Sequence, residues 1–152
     1  MAGISVRTNN IIEREGDGKI SGLWERFFEE RVSQKIKGAI DPGTILAVYS
    51  DYQKDSQGDY TLTIGHEVPA DFSDDKVFNF VHVPASDYKV FSSESGKVPE
   101  IVINLWQKIW SWERVEKVQK RSFMHDLEVY GHGAIDQENA QMDIYIGLET
   151  KK

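Results

Sequence analysis

Apolar residues recur at helical spacing in two segments of the chain. The first segment starts at Ser21 or Gly18 and runs to about Lys37, where Gly38 follows as a residue type that commonly ends helices. The second starts at Pro99, which suits the first turn of a helix. Its apolar positions are Ile101, Val102, Leu105, Trp106, Ile109, Trp110 and Trp112. Each pattern predicts one amphipathic helix that packs on a core.

Segments rich in strand-forming residues fill most of the remaining chain, separated by turn residues such as Asp41-Pro42-Gly43. The predicted strands are 4–12, 44–52, 60–68, 76–83, 88–91, 123–130 and 142–148.

The two helical segments belong to a longer repeat. Residues 23–28 and 105–110 both read Leu, Trp, polar, basic, apolar, aromatic, at an offset of 82. Residues 46–50 match 127–131 at an offset of 81, and Ile64-Gly65 matches Ile146-Gly147 at 82. Agreement in order and spacing indicates two related halves rather than chance.

The repeat determines the predicted architecture. We expect a single domain over residues 1–152, with halves at about 1–70 and 75–150 that each contain strand, helix, strand, strand. This order of elements predicts an α+β fold in which duplicated β-α-β-β units form one antiparallel sheet with two helices on one face. The crevice between the helices is then the expected ligand site, because pockets favour such junctions.

Charge and composition narrow the function classes. The chain has 18 Lys and Arg against 25 Asp and Glu, a net charge of −7, and no basic stripe. We therefore expect no direct nucleic-acid binding, and an electrostatic field that attracts cations. The sequence has no cysteine and no apolar run of about 18 residues, which favours a cytoplasmic protein that does not enter the membrane.

Motifs for metal or nucleophilic chemistry are missing from the sequence. The four histidines, at 66, 82, 125 and 132, have no metal-ligand spacing, and neither a nucleophile elbow nor a phosphate-binding loop occurs. We predict no metal, no cofactor and no assigned catalytic residue.

One carboxylate interrupts an apolar and aromatic strand. Glu128 stands where the first half has Ala47, and strand alternation puts Glu128 on one face with Tyr130, and Leu127 and Val129 on the other. Alternation alone favours Glu128 facing solvent. If it faces inward, its burial is costly unless it is paired, and a cationic ligand would supply that partner.

The ordered segments resemble the GyrI-like, or AraC effector-binding-type, family of small-molecule-binding domains over nearly the whole chain. The resemblance is strongest with standalone members, including those carried on integron gene cassettes. Fused members carry a DNA-binding helix-turn-helix; because the first predicted strand starts close to residue 1, we expect no such module here. The segments that carry the resemblance are 20–27, 60–68, 106–110, 126–131 and 143–148.

The resemblance implies a standalone protein that binds a hydrophobic or cationic drug-like molecule between the halves, with a regulatory protein as a further partner. The family's pocket glutamate falls on Glu128, and the aromatic walls fall on Trp106, Trp110, Tyr49, Tyr130 and Tyr145. From their spacing alone, Trp106 and Trp110 could equally be core residues. Trp24, Phe27 and Phe28 lie on the apolar stripe of the first helix and are expected in the core.

Two other functions stay open. Some relatives resemble hydrolases that use the pocket glutamate, and a desolvated Glu128 could act as a general acid or base. Because the sequence supplies no second catalytic group, we favour a non-catalytic protein. A protein-binding inhibitor is the other alternative, since the family takes its name from an inhibitor of DNA gyrase; it would need a large flat apolar surface.

Overall fold

The structure, a computed structural model, describes residues 1–73 and 78–150. The elements in chain order are β1 (Ala2–Thr8), α1 (Asn10–Arg14), α2 (Ile20–Glu29), α3 (Val32–Lys35), β2 (Ile45–Ser50), β3 (Tyr60–His66), β4 (Asn79–Phe80), β5 (Tyr88–Ser92), α4 (Glu100–Val115), β6 (Arg121–Tyr130), a 3-10 turn (His132–Ala134) and β7 (Asp143–Leu148). Within the described ranges the strands form one seven-stranded antiparallel sheet in the order β4-β1-β3-β2-β6-β7-β5.

The sheet has matching halves on either side of its centre. The strands β1, β3 and β2 lie on one side, and β5, β7 and β6 lie in the mirrored order on the other. At the centre β2 pairs with β6, with Ala47 directly opposite Glu128. Since the sequence repeat equates these two positions, an approximate two-fold axis through the sheet passes between them. The predicted α+β fold with a single antiparallel sheet is confirmed, and the arrangement supports the predicted repeat.

Both main helices cover the same face of the sheet. Leu23 and Phe27 of α2 and Leu105 and Ile109 of α4 are buried in one continuous apolar cluster. The sheet contributes alternate residues to that cluster, as strand geometry requires. They are Ala2, Ile4, Ala47, Tyr49, Tyr60, Leu62, Ile64, Ile144 and Ile146.

The first half departs from its predicted boundaries. Strand β1 stops at Thr8 because the Asn9 side chain accepts a hydrogen bond from the Ile12 amide and starts α1. The helix predicted to reach Lys37 is broken at Arg31, whose φ is +50°. The break redirects the chain so that residues of the short helix α3 can also reach the core.

One further predicted strand lies partly outside the described residues. Of the strand predicted over 76–83, the structure contains β4 at Asn79–Phe80, and residues 74–77 lie outside the described part of the chain. Within the described ranges, none of the helices is long and apolar enough to cross a membrane.

We predict that Gly65→Ala destabilises the protein. Gly65 of β3 pairs with Gly3 of β1, and a methyl group at Gly65 would run into the backbone carbonyl of Ala2. Backbone cannot move aside as a flexible side chain can, so the free energy of unfolding should fall by about 1–3 kcal/mol in urea denaturation.

Gly22→Ala is the matched control. Gly22 lies in α2, and a methyl group there meets no atom within 4 Å. Alanine should therefore stabilise the protein by about 0.5–1 kcal/mol. Equal effects of the two substitutions would contradict the close approach of β1 and β3.

Candidate ligand-binding site

The structure turns Glu128 inward, under the helices. Its side chain is 2% exposed, whereas Leu127 and Val129 lie half-buried on the other face of β6. Of the two orientations that alternation left open, the inward one is therefore observed. The carboxylate lies at the centre of the sheet, on the face that α2 and α4 cover.

Three neutral donors hold the Glu128 carboxylate. Oε2 accepts hydrogen bonds from the Tyr49 hydroxyl at 2.8 Å and from Trp106 Nε1 at 2.9 Å. Oε1 accepts one from the Tyr130 hydroxyl at 2.7 Å. Among the described residues, no Lys, Arg or His forms an ion pair with Glu128. The charge is thus solvated by hydrogen bonds but is not neutralised.

Burial dominates the electrostatics of this group. Desolvation raises the pKa of Glu128 above its ordinary value of 4.5, and the hydrogen bonds from Trp106, Tyr130 and Tyr49 oppose that rise. Burial, together with the nearby Glu128 charge, raises the pKa of both tyrosine hydroxyls well above 10. Both tyrosines therefore keep their protons and remain donors at physiological pH.

A second buried carboxylate lies two residues away on the same face of β6. Asp126 forms an ion pair with Arg121 at 2.8 Å and accepts hydrogen bonds from the Tyr52 hydroxyl at 2.5 Å and the Gly147 amide at 3.0 Å. The Arg121 guanidinium also lies 4.4 Å from the ring centre of Phe123. Arg121 also pairs with Glu113 at 3.2 Å, so Asp126 has a shared cationic partner, and among the described residues Glu128 has none.

The sequence analysis missed Asp126 and Arg121 as buried groups. Strand alternation places Asp126 on the same face as Glu128 and Tyr130, so the sequence did contain an indication that Asp126 faces inward. The ion pair itself depends on an irregularity in β6 between Arg121 and Asp126, where Phe123 has a φ of +54°. Such a local distortion leaves no mark in a pattern of apolar and polar residues.

The aromatic residues around Glu128 are arranged in two similar groups. On one side the Tyr49 ring meets Trp106 edge to face, with 5.3 Å between ring centres and 72° between planes. On the other side Tyr130 meets Trp24 in the same way, at 5.2 Å and 81°. Each tryptophan belongs to one of the main helices. Tyr49, Tyr130 and Trp106 of the predicted site are thus brought together, and Trp24 joins them.

Two predicted wall residues lie elsewhere. Tyr145 pairs with Leu127 across β7 and β6, so it occupies the face of the sheet opposite Glu128. Trp110 lies one helical turn beyond Trp106, with 6.1 Å between ring centres, and is 38% exposed. It lines a surface depression of about 410 Å³ that includes Asn10 and Glu113.

The core expectation for the aromatics of the first helix holds fully for Phe27, in part for Trp24, which packs against the core cluster, and not for Phe28. Phe27 is 1% exposed, but Trp24 is half-buried and Phe28 is 52% exposed. The three side chains share an apolar stripe in the sequence, yet α2 packs on the sheet along one edge of that stripe. Helical periodicity gives the direction of a face but not how much of that face is covered.

Taken together, the fold is that of GyrI-like effector-binding domains. The sequence model of the family described as "Cass2: Integron-associated effector binding protein" matches residues 1–148 of this chain. The chain belongs to this family.

Relatives of known sequence and structure agree with that assignment. A protein of Bacillus subtilis (strain 168), YobU, which is named as a transcriptional regulator, is 32% identical over 148 residues, covering 97% of this chain and 91% of YobU. The crystal structure of the integron cassette protein VCH_CASS2 of Vibrio cholerae matches with a TM-score of 0.74 at 24% identity, covering 97% of this chain and 88% of that one. The structure of SAV2435 bound to tetraphenylphosphonium matches with a TM-score of 0.78 at 19% identity, covering 97% and 87%.

The two carboxylates lead to opposite predictions for stability. Glu128→Gln keeps the shape, and the amide can accept from Tyr49 and Trp106 while it donates to the Tyr130 oxygen. Since it removes an unpaired buried charge, we expect it to raise the free energy of unfolding at pH 7 by about 1 kcal/mol. Because the pKa of Glu128 is raised in the folded state, the wild type loses stability as the pH rises above 4.5, so this gain should vanish at lower pH.

Asp126→Asn is the matched comparison, two residues away on the same strand. It removes the fully buried partner of Arg121, which keeps only the partly exposed Glu113 at 3.2 Å, so urea denaturation at pH 7 should show a loss of about 3 kcal/mol. A loss of similar size in both variants would contradict the distinction between a carboxylate with a cationic partner and one without.

Proposed function

We propose that this protein binds lipophilic monocations without changing them, and that the Glu128 carboxylate supplies the opposite charge. The observation that carries the proposal is a carboxylate buried among aromatic rings whose partners are all neutral. A folded protein normally pairs a buried charge, as this one does at Asp126. A ligand cation would complete the pairing at Glu128.

The chemistry of the surroundings suits an apolar cation. Tyrosine and tryptophan faces attract cations by about 0.5–2 kcal/mol each, with the larger values where water is excluded. A small hydrated ion would lose its water on entry and gain little contact. A cation that carries its own apolar surface avoids most of that cost, because its charge is already poorly hydrated.

The carboxylate retains acceptor capacity for a ligand. A carboxylate has about four lone-pair positions, and three are used here, two of them on Oε2. Oε1 has one donor, the hydroxyl of the half-buried Tyr130. A ligand can therefore approach Oε1 after a movement of one tyrosine, without opening the Tyr49 and Trp106 side.

The SAV2435 complex guides the choice of probe. That protein was solved with tetraphenylphosphonium, a monocation whose charge is surrounded by phenyl groups. Its likeness to this chain at 19% identity supports a shared fold, so binding of the same compound here is part of the proposal and needs its own test.

The alternative function is a hydrolase, which would change its ligand chemically, whereas a binding protein would not. A raised pKa also suits a general acid or base, as a hydrolase would require. The hydrogen-bond partners of Glu128 are two tyrosines and one tryptophan, all of them donors that do not titrate near neutral pH. We therefore favour binding, and mass spectrometry of the incubated ligand should recover it unchanged.

We predict that tetraphenylphosphonium binds the wild type saturably and that Glu128→Gln weakens binding about 10- to 100-fold. Quenching of tryptophan fluorescence or calorimetry would measure both affinities. The neutral compound triphenylphosphine oxide is the control ligand, because it keeps the phenyl groups without the charge. Its affinity should differ by less than about threefold between the two proteins.

An equal affinity of wild type and Glu128→Gln for the cation would show that the carboxylate does not pair with it. Absence of saturable binding to the wild type would remove the proposal altogether.

The affinity for the cation should also depend on pH. A bound cation favours the ionised carboxylate, so it lowers the pKa of Glu128 in the complex relative to the free protein. Affinity should be highest above the raised pKa of the free protein and should fall as the pH decreases through it. Glu128→Gln should show no such fall in the same range. Titrations over several pH values, with folding monitored by circular dichroism, would check this.

A further inference from the structure

We propose that Ser33 is a nucleophile that His66 activates, and that it accepts the acyl group of activated esters. The Ser33 hydroxyl lies 2.6 Å from Nε2 of His66, and the other ring nitrogen, Nδ1, lies 2.8 Å from the carbonyl oxygen of Thr44. A hydroxyl bonded to a base that a third group orients is the arrangement by which proteins activate serine. This activity is separate from the function proposed for Glu128 and does not depend on it.

The two hydrogen bonds of His66 determine which ring nitrogen carries the proton. A backbone carbonyl oxygen can only accept, so Nδ1 is the protonated nitrogen and donates to Thr44. In the neutral ring Nε2 is then the acceptor, and the Ser33 hydroxyl donates to it. The hydroxyl proton of Ser33 is therefore directed at a basic lone pair, as its removal by a general base requires.

The fold brings the two side chains together from separate parts of the chain. His66 ends β3 and is fully buried. At Arg31 the positive φ turns the chain out of α2, and the buried Val32 and Ile36 hold the next segment in the core. Ser33 lies between these two apolar residues and is half-buried. Ser33 therefore contacts solvent, whereas its base lies behind it.

A nearby carboxylate stabilises the charge that forms on His66 during the reaction. The Asp41 carboxylate accepts hydrogen bonds from the Thr44 hydroxyl at 2.7 Å and from the Gly43 amide at 3.0 Å. These bonds are the main reason why the pKa of Asp41 lies below its ordinary value of 3.8, so Asp41 is ionised at neutral pH. A positive charge on His66 lowers that pKa further, and the negative charge of Asp41 in turn favours a proton on His66.

The proposed step exchanges one carbon–oxygen bond for another. The Ser33 oxygen forms a bond to the carbonyl carbon of the ester, and the Ser33 proton moves to Nε2 of His66. The bond between that carbon and the leaving oxygen breaks, and the leaving group departs with the electron pair. His66 then releases its proton to solvent, and Ser33 remains acylated.

The burial of His66 determines which esters can react. Because His66 lies behind Ser33 with 0% exposure, it takes the Ser33 proton but does not reach the leaving group on the far side of the ester. The leaving group must then be stable as an anion, which is the property of aryl esters. Water is also kept from His66, so we expect slow hydrolysis of acylated Ser33 and an acyl group that stays on the protein.

The first test is a burst assay with 4-nitrophenyl acetate, whose leaving group is a coloured phenolate. We expect the wild type to release about one equivalent of phenolate rapidly and to turn over slowly afterwards. Peptide mapping by mass spectrometry should find the acetyl group on Ser33. Ser33→Ala should remove the burst, and His66→Gln should slow it about 100-fold. Ser21→Ala, at an exposed serine of α2, is the matched control and should retain the burst.

Ser33→Cys keeps the proposal testable if His66→Gln is poorly folded. The chain has no cysteine, so the introduced thiol is the only one. A thiol paired with a histidine loses its proton more easily, so iodoacetamide should alkylate Ser33→Cys about tenfold faster than Ser21→Cys. Exposure alone predicts the reverse order, because Ser21 is exposed and Ser33 is half-buried.

The outcomes distinguish a reactive hydrogen bond from a structural one. Acetylation at other residues only, or an undiminished burst in Ser33→Ala, would overturn the proposal. Alkylation of Ser33→Cys that is no faster than that of Ser21→Cys would overturn it as well. Ser33→Ala should bind tetraphenylphosphonium with the affinity of the wild type, because Ser33 makes no contact with the hydrogen-bond partners of Glu128. The two proposals therefore fail independently of each other.

Discussion

The antiparallel pairing of β2 with β6 is the contact on which the rest of the molecule depends. It joins the two halves into one sheet, fixes which residues face the helices, and sets Ala47 opposite Glu128 at the centre. A shift of one residue in this pairing would turn Glu128 to the other face and bring Leu127 under the helices. The register thus determines both the core and the position of the buried charge.

Glu128 and Asp126 show how the same strand can hold two charges at different cost. Asp126 pairs with the Arg121 guanidinium, which also pairs with Glu113, whereas Glu128 receives hydrogen bonds from neutral groups. The ion pair of Asp126 with Arg121 helps to hold the folded chain together, because removing either partner would leave the other buried. The arrangement at Glu128 leaves the fold less stable than it could be, which is a common property of sites kept for binding. This contrast is the reason for proposing a binding role for Glu128 and a structural role for Asp126.

Much of the fold was accessible from the sequence because periodicity and the repeat act over many residues. The helical spacing of apolar residues and the match of 23–28 with 105–110 led to the single antiparallel sheet. Glu128 was found as the position where the repeat changes from an apolar to a charged residue. Tyr145 was misplaced because its face depends on the register of β7 against β6, and Phe28 because periodicity does not show how deeply a face is buried.

The position of Glu128 beside the axis has a consequence for how such a site can arise. In a dimer of two identical chains with this pairing, the residue at the centre would face its own copy, so a glutamate would meet a second glutamate at about 5 Å. The two would repel each other, and one would stay protonated. Joining both halves in a single chain lifts that restriction, since each half can carry a different residue. A chain with two joined halves can therefore carry a single negative charge at the centre of a nearly symmetric aromatic site, whereas a symmetric dimer would carry two carboxylates there or none.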